Sequence, residues 1–162
     1  MNIYLLPDPH LGHKRIVEGG HRPEGFEAKI MNVISKTVRA DDILIVLGDV
    51  SFLQEKLWQE TLRSVCKGKM WLTLGNHDTR SLTWYMERGW DFVGESIRLN
   101  YFSKDILFSH KPTDSDADIN IHGHLHNMGH RLGYYHLIPE YHKLLEIESE
   151  IKLFNLKKIC NN

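Results

Sequence analysis

Five apolar runs in this chain each end in side chains that can bind a cation. Residues 2–6 lead to Asp8 and His10, 42–47 to Asp49, 70–74 to Asn76, His77 and Asp78, 105–108 to His110, and 119–121 to His124 and His126. Runs this short, bounded by glycine or polar residues, read as buried strands. Between them Phe26, Ile30, Val33, Ile34 and Val38 recur at helical spacing, and Leu53, Leu57, Trp58, Leu62 and Val65 repeat that period. A third short helix is expected over 80–87, and 96–102 and 105–108 read as consecutive strands of a meander. Residues 139–159 carry Glu140, Glu146 and Glu148 early and Lys157 and Lys158 late, an order that suits a helix dipole and predicts a C-terminal helix. Alternation of strand and helix followed by strand-rich sequence predicts a layered α/β domain, with one mixed sheet or two packed sheets.

The 162 residues, 41% hydrophobic and 25% charged, hold no repeat, low-complexity tract or linker, so a single domain over 1–162 is expected. Cys66 and Cys160 stand far apart with no CxxC pair, which argues against a disulfide framework or a thiolate zinc site and fits a reducing compartment. No apolar stretch approaches a membrane span and the N-terminus lacks a signal-peptide pattern, so a cytoplasmic location is expected. With 20 basic and 21 acidic residues, the chain has no overall field that would draw it to nucleic acid or anionic lipid. Eleven histidines, five of them between His110 and His130, mean that any bound metal is held by nitrogen and oxygen.

Singly, these polar groups have ordinary readings. Asp8-Pro9-His10 is also a surface turn, Gly48-Asp49 a turn or helix cap, and Gly75-Asn76-His77-Asp78 an Asn/Asp turn before a helix. Ser109 beside His110 is no catalytic dyad, because neighbours on a strand point to opposite faces. Gly123-His124-Leu125-His126 says more: on extended chain, alternate histidines face one way and can meet one ion or an adjacent pair. Independent turns do not explain why all five groups follow apolar runs. Ligands in layered α/β folds bind beyond the carboxyl ends of strands, where such residues converge on one cleft. Gly48, Gly75 and Gly123 precede three of the groups and let a main chain turn or approach an ion closely.

In this order the blocks Asp8-Pro9-His10, Gly48-Asp49, Gly75-Asn76-His77-Asp78, His110 and Gly123-His124-Leu125-His126 resemble the signature of the calcineurin-like metallophosphoesterase superfamily. Gly12-His13-Lys14 and Arg22-Pro23 are similar to its small, cap-less bacterial and phage members. The resemblance implies an α/β fold of two mixed β-sheets packed as a sandwich flanked by helices, with a dinuclear metal site at one end. Asp8, His10, Asp49 and His126 would hold the first ion and Asp49, Asn76, His110 and His124 the second, Asp49 bridging. His77 would act as proton donor to the leaving group.

The chemistry agrees. Two divalent ions neutralise phosphoryl oxygens and generate a bridging hydroxide placed in line with the ester bond. Asp8 and Asp49 leave the ion pair with surplus positive charge for an anionic ester, and a neutral donor such as Asn76 preserves it. The donor set favours Mn²⁺, with Fe, Ni or Zn as alternatives. Protein phosphatases of the superfamily extend the second block to GDxxDRG, whereas this chain has Gly48-Asp49-Val50-Ser51-Phe52. That departure and the absence of an obvious cap favour phosphodiesters, nucleotide-derived ones among them. The alternatives are a phosphomonoesterase on a small metabolite or nucleotide, and a non-catalytic protein-binding scaffold.

His13, Lys14, Arg15, Arg22, Arg80, Lys111 and His122 are candidate contacts to substrate. Asp114, Asp116 and Asp118 imitate a calcium loop, but Ile119 stands where glycine is needed and Leu125 where glutamate is needed. Trp58, Trp71, Trp84 and Trp90 are expected in the core. Oligomeric state leaves no mark on the sequence.

Overall fold

Period-two burial organises the first sheet, whose strands β1 (Ile3–Leu6), β2 (Ile43–Val46) and β3 (Lys69–Thr73) are parallel and in register, Leu5 against Ile45 and Ile45 against Trp71. Ile3, Leu5, Ile43, Ile45 and Leu47 point to one face, while Leu6, Leu44, Val46, Met70 and Leu72 point to the other. Both faces are covered, which is why these strands read as continuous apolar runs. β4 (Phe92–Gly94) extends the sheet beside β3, and β9 (Phe154–Asn155) adds an antiparallel edge beside β1, giving the order β4-β3-β2-β1-β9. The computed structural model describes residues 1–127 and 141–161.

Helices cover the outer face of this sheet. α2 (Phe26–Thr37) buries Phe26, Ile30 and Ile34, one residue per turn, and α3 (Glu55–Val65) buries Gln59 and Leu62. The Gln59 amide is satisfied by the Trp90 indole N–H at 2.7 Å and Ser51 Oγ at 3.3 Å. α4 (Leu82–Met86) starts where Ser81 Oγ accepts the Trp84 amide. α1 (Lys14–Glu18), α4 and α5 (Leu156–Cys160) are single-turn pieces, and Asn155 caps α5 through the Lys157 amide.

A second mixed sheet, β5 (Ser96–Tyr101), β6 (Lys104–Ser109), β7 (Ile119–His122) and β8 (His142–Leu144), packs on the inner face of the first. β5 and β6 form the expected antiparallel pair, and β6, β7 and β8 run parallel. Ile97, Ile106, Phe108, Ile119 and Ile121 meet Leu5, Ile45 and Leu47 in one cluster. Fully burying side chains of this kind stabilises the fold by about 1.5–3 kcal/mol each. The expected sandwich flanked by helices is therefore present. Among the described residues no helix is long and apolar enough to cross a membrane.

The C-terminal segment corrects the sequence reading. Residues 142–144 and 154–155 are strands, and only 156–160 are helical; residues 128–140, where that expected helix would begin, lie outside the described residues. Charge order suggested a helix, but burial decides: Leu145 enters the core between the sheets and Ile147 the core beneath the helices, the alternation of extended chain. α1 and β4 were not expected, being too short for periodicity to register.

One buried amide ties the loop after β6 to the second sheet. Asn120 is fully buried; its Oδ1 accepts from Thr113 N at 2.9 Å, and its Nδ2 donates to Leu107 O at 3.1 Å and Ser109 Oγ at 2.9 Å. Asn120→Ala is expected to destabilise by about 1–3 kcal/mol for each polar partner left buried and unpaired, read as a lowered urea midpoint at unchanged slope.

Candidate metal centre

Because β1, β2 and β3 share one direction and β6 and β7 another parallel pair, the polar groups beyond their carboxyl ends gather at one end of the sandwich. The loops after β1 and β2 continue to pair past the strands: His10 N donates to Asp49 O at 2.9 Å, Leu11 N to Val50 O at 3.0 Å and Phe52 N to Leu11 O at 2.9 Å. The Asp8 carboxylate accepts from His124 N at 2.9 Å and so joins the first sheet to the loop after β7.

Backbone strain marks the place. Asp8, His10, Asp49, His124 and His126 have φ of 43°, 49°, 52°, 66° and 49°, in the left-handed region that side chains with a Cβ seldom adopt. Each costs about 1–3 kcal/mol and persists only where its surroundings dictate it. The extended reading of His124-Leu125-His126 is thereby corrected, while Asp8-Pro9-His10 is the turn that its proline and aspartate suggested. The chain turns at both places and sends His124 and His126 into different groups of donors.

Those groups are two triads. One ligand atom from each of Asp8, His10 and His126 lies within 4.8 Å of the others, and Asp49, His110 and His124 make a second set on the same criterion. Asp49 stands between them: its Oδ2 is 3.6 Å from His10 Nε2 and 3.4 Å from His110 Nε2, while its Oδ1 accepts the His77 amide at 2.9 Å. Asn76 Oδ1 is 3.0 Å from His110 Nε2 and joins the second set. Ring orientation is set by the other nitrogen: His110 Nδ1 donates to Leu47 O at 2.8 Å, leaving Nε2 as the lone pair facing the site.

Electrostatics favour a cation here. Burial, helped by positive neighbours, lowers the His10 pKa to about 2, and burial likewise lowers His124 to about 4 and pulls His110 down. These rings are thus neutral at pH 7, the form that binds metal. Burial pushes the Asp8 carboxyl well above its ordinary range, the charge of Asp49 pushes the same way, and His126 opposes both. Both His10 ring nitrogens are buried without a hydrogen-bond partner among the described residues. Neutral imidazoles with unused lone pairs beside buried carboxylates fit a divalent ion, which would supply the missing partner and the missing positive charge.

Two glycines permit this closeness. A Cβ at Gly75 would collide with the Asp49 carboxylate, and one at Gly123 with that of Asp8.

The remaining sequence candidates divide. His77 stands at the rim, its side chain 42% exposed and its Nε2 3.9 Å from Asp49 Oδ2. His13 lies beside it across Phe52, whose ring centroid is 3.9 Å from His13 and 4.4 Å from His77. Lys14 is exposed and lines a depression with His13 and Phe52. Arg80 is turned to Glu55 at 2.5 Å and over the Trp84 ring. Two candidates are corrected. Arg22 is buried and spends its guanidinium on Asp8 O, Pro9 O and Glu148, so it faces the protein rather than substrate. His122 is also buried, its Nδ1 donating to Gly123 O at 3.0 Å and its ring centroid 5.5 Å from that of His142.

Two residues, Phe52 and Glu148, escaped the sequence reading, and a third, Asp78, braces backbone instead of joining the cation-binding set its block suggested. Asp78, the last member of its block, accepts Asp49 N at 2.7 Å, Gly75 N at 2.9 Å and Val50 N at 3.0 Å, bracing two loops at once. Burial pushes its pKa up to about 6, while those three amides hold it down. Phe52 supplies the aromatic rim, and Glu148 meets His126 from a segment with no motif. Asp78→Asn, whose amide nitrogen would face backbone N–H groups, is expected to cost about 1–3 kcal/mol for each amide left unpaired, measured by denaturant unfolding of the metal-free chain.

Comparison with known proteins bears on the fold and the family. A solved protein of unknown function from Aquifex aeolicus has the same fold, with a TM-score of 0.78 over 99% of this chain and 98% of that one at 21% identity. An archaeal phosphodiesterase is more distant, with a TM-score of 0.47 and 18% identity over 76% of this chain and 73% of that one. No curated protein matches the chain. The family model for calcineurin-like phosphoesterases matches residues 1–150, a span that contains all five strand-end blocks and both triads. The chain belongs to the calcineurin-like phosphoesterase family.

Proposed function

We propose that this chain is a hydrolase that uses two divalent ions, Mn²⁺ in preference to Fe, Ni or Zn, to cleave phosphate esters, phosphodiesters above monoesters. Asp8, His10, Asp49 and His126 would hold one ion and Asp49, Asn76, His110 and His124 the other. The observation that carries this reading is the place of Asp49 Oδ2, 3.6 Å from a nitrogen of one triad and 3.4 Å from a nitrogen of the other. When bound, the ions supply positive charge for the phosphoryl oxygens and a water acidic enough to attack at neutral pH.

The chain's own groups do the rest. Asn76 donates an uncharged oxygen, so the centre keeps surplus positive charge for an anionic ester. Its side chain and that of His77 reach the open rim. As water oxygen gives up a proton to solvent and bonds to phosphorus, the ester P–O bond breaks and the departing alkoxide takes a proton from the protonated His77 ring. The His77 backbone N–H donates to Asp49 Oδ1, and its ring lies against Phe52. The exposed rim leaves space for a diester's second substituent, and the flat faces of Phe52 and His13 suit a base, so nucleotide-derived diesters are the substrates we favour. Residues 1–162 act as one domain in this reading, its two sheets sharing one core. Buried free thiols at Cys66 and Cys160 support a reducing, cytoplasmic setting.

Chelator treatment is expected to abolish turnover, and Mn²⁺ to restore it at two ions per chain. With chromogenic substrates the diester is expected to turn over faster; faster monoester turnover would overturn that preference. His77→Ala is expected to lower turnover by about 10²–10⁴-fold with Mn²⁺ content unchanged, whereas Asp49→Ala is expected to lose both ions.

A further inference from the structure

Beneath the first triad lies a buried ionic network that the phosphoesterase reading does not use. Arg22 and Glu148, separated by 126 residues in sequence, are almost fully enclosed, with side-chain exposures of 0% and 3%, and Arg22 Nη2 lies 2.6 Å from Glu148 Oε1. Arg22 Nε donates to the same oxygen at 3.2 Å. The guanidinium also donates from Nη1 to Pro9 O at 2.5 Å and from Nη2 to Asp8 O at 2.6 Å, and it lies against the Phe26 ring of α2. On its far side Glu148 Oε1 accepts from His126 Nδ1 at 2.8 Å. One carboxylate and one guanidinium thus touch the backbone carrying Asp8 and His10 and the side chain of His126, which are all three members of that triad.

Stability alone explains this poorly. Removing an arginine and a glutamate from water costs several kcal/mol each, and a packed apolar pair of the same volume often serves the fold as well or better. Position explains it. Asp8 and His10 are held in left-handed backbone, a conformation that persists only under restraint, and the Arg22 hydrogen bonds fall on the carbonyls of Asp8 and Pro9. A histidine with one nitrogen bonded to a carboxylate has a fixed ring and one defined lone pair, the arrangement that accompanies metal-binding histidines generally. In His126 the nitrogen left over is Nε2. In the second triad Asp78 braces the backbone of Asp49, but among the described residues neither histidine ring has a carboxylate hydrogen bond: His110 leans on a backbone carbonyl, His124 Nδ1 faces His110 Nε2, and Asn76 is exposed.

We propose that Arg22 and Glu148 are positioning residues for the first metal ion, Arg22 setting the Asp8–His10 turn and Glu148 aiming His126, so that this half of the centre binds its ion more tightly than the other. The proposal rests on the dinuclear reading above. It adds that two residues outside both triads divide the centre into a tight half and a loose half.

Stepwise Mn²⁺ binding to the full chain, followed by calorimetry and by electron paramagnetic resonance, tests it. The wild-type chain is expected to take up two ions with a tighter first step, an uncoupled six-line signal at one equivalent and a spin-coupled signal at two. Glu148→Ala is expected to weaken the tighter step by about 10–100-fold and leave the weaker step unchanged. Glu148→Gln, which still offers His126 an acceptor, is expected to recover part of that loss, a rescue that a purely structural role would not produce. Arg22→Lys cannot grip both carbonyls and the carboxylate at once and is expected to weaken the same step, which keeps the test decisive if Glu148→Ala does not fold. Unchanged stepwise constants in Glu148→Gln and Arg22→Lys, or equal weakening of both steps, would overturn the proposal alone. A wild-type chain that takes up no Mn²⁺ would overturn the dinuclear reading and this one with it.

Discussion

The Asp49 carboxylate is the point on which the molecule turns. Its backbone amide is held by Asp78, its Oδ1 receives the amide of His77, and its Oδ2 is left facing nitrogens of both triads. A buried carboxylate in that position is costly unless positive charge meets it. Nothing in the hydrophobic sandwich requires such a group there. The strain, the glycines and the bracing amides around it make sense as the means of keeping an unfavourable cluster of oxygen and nitrogen donors together until cations compensate it.

Fold and chemistry are joined by strand direction. Parallel pairing of β1, β2 and β3, and of β6 with β7, carries five loop starts to one end of the two sheets. The strands behind those loops are buried on both faces or packed against the facing sheet, so the loops spring from rigid ends. Left-handed residues at Asp8, His10, Asp49, His124 and His126 can then be held against their own preference, because the sheet cannot relax to relieve them. Stability spent on these turns is returned as preorganisation: donors that already face one another need little further ordering when an ion arrives.

Much of this was legible in the residues. The five blocks announce themselves because metal-type side chains after apolar runs form a pattern that chance turns do not reproduce, and the helix over 26–37 shows plainly through Phe26, Ile30 and Ile34. Relations set by tertiary packing were not legible. Arg22, close in sequence to the first block, read as a contact to substrate, yet folding buries it against Glu148, which no local pattern links to it. His122, just before the histidine pair, read as a contact to substrate, but strand alternation turns it away from the face that Ile119 and Ile121 share. In the C-terminal segment charge order suggested a helix, whereas Leu145 and Ile147 enter opposite cores and leave only 156–160 helical.

Anomalous scattering from a crystal grown with Mn²⁺, collected on both sides of the manganese edge, tests the central claim most directly. Two peaks are expected, about 3.5–4 Å apart, one among Asp8, His10 and His126, the other among Asn76, His110 and His124, with Asp49 Oδ2 between them. A single peak, or manganese bound away from Asp49, would contradict the account.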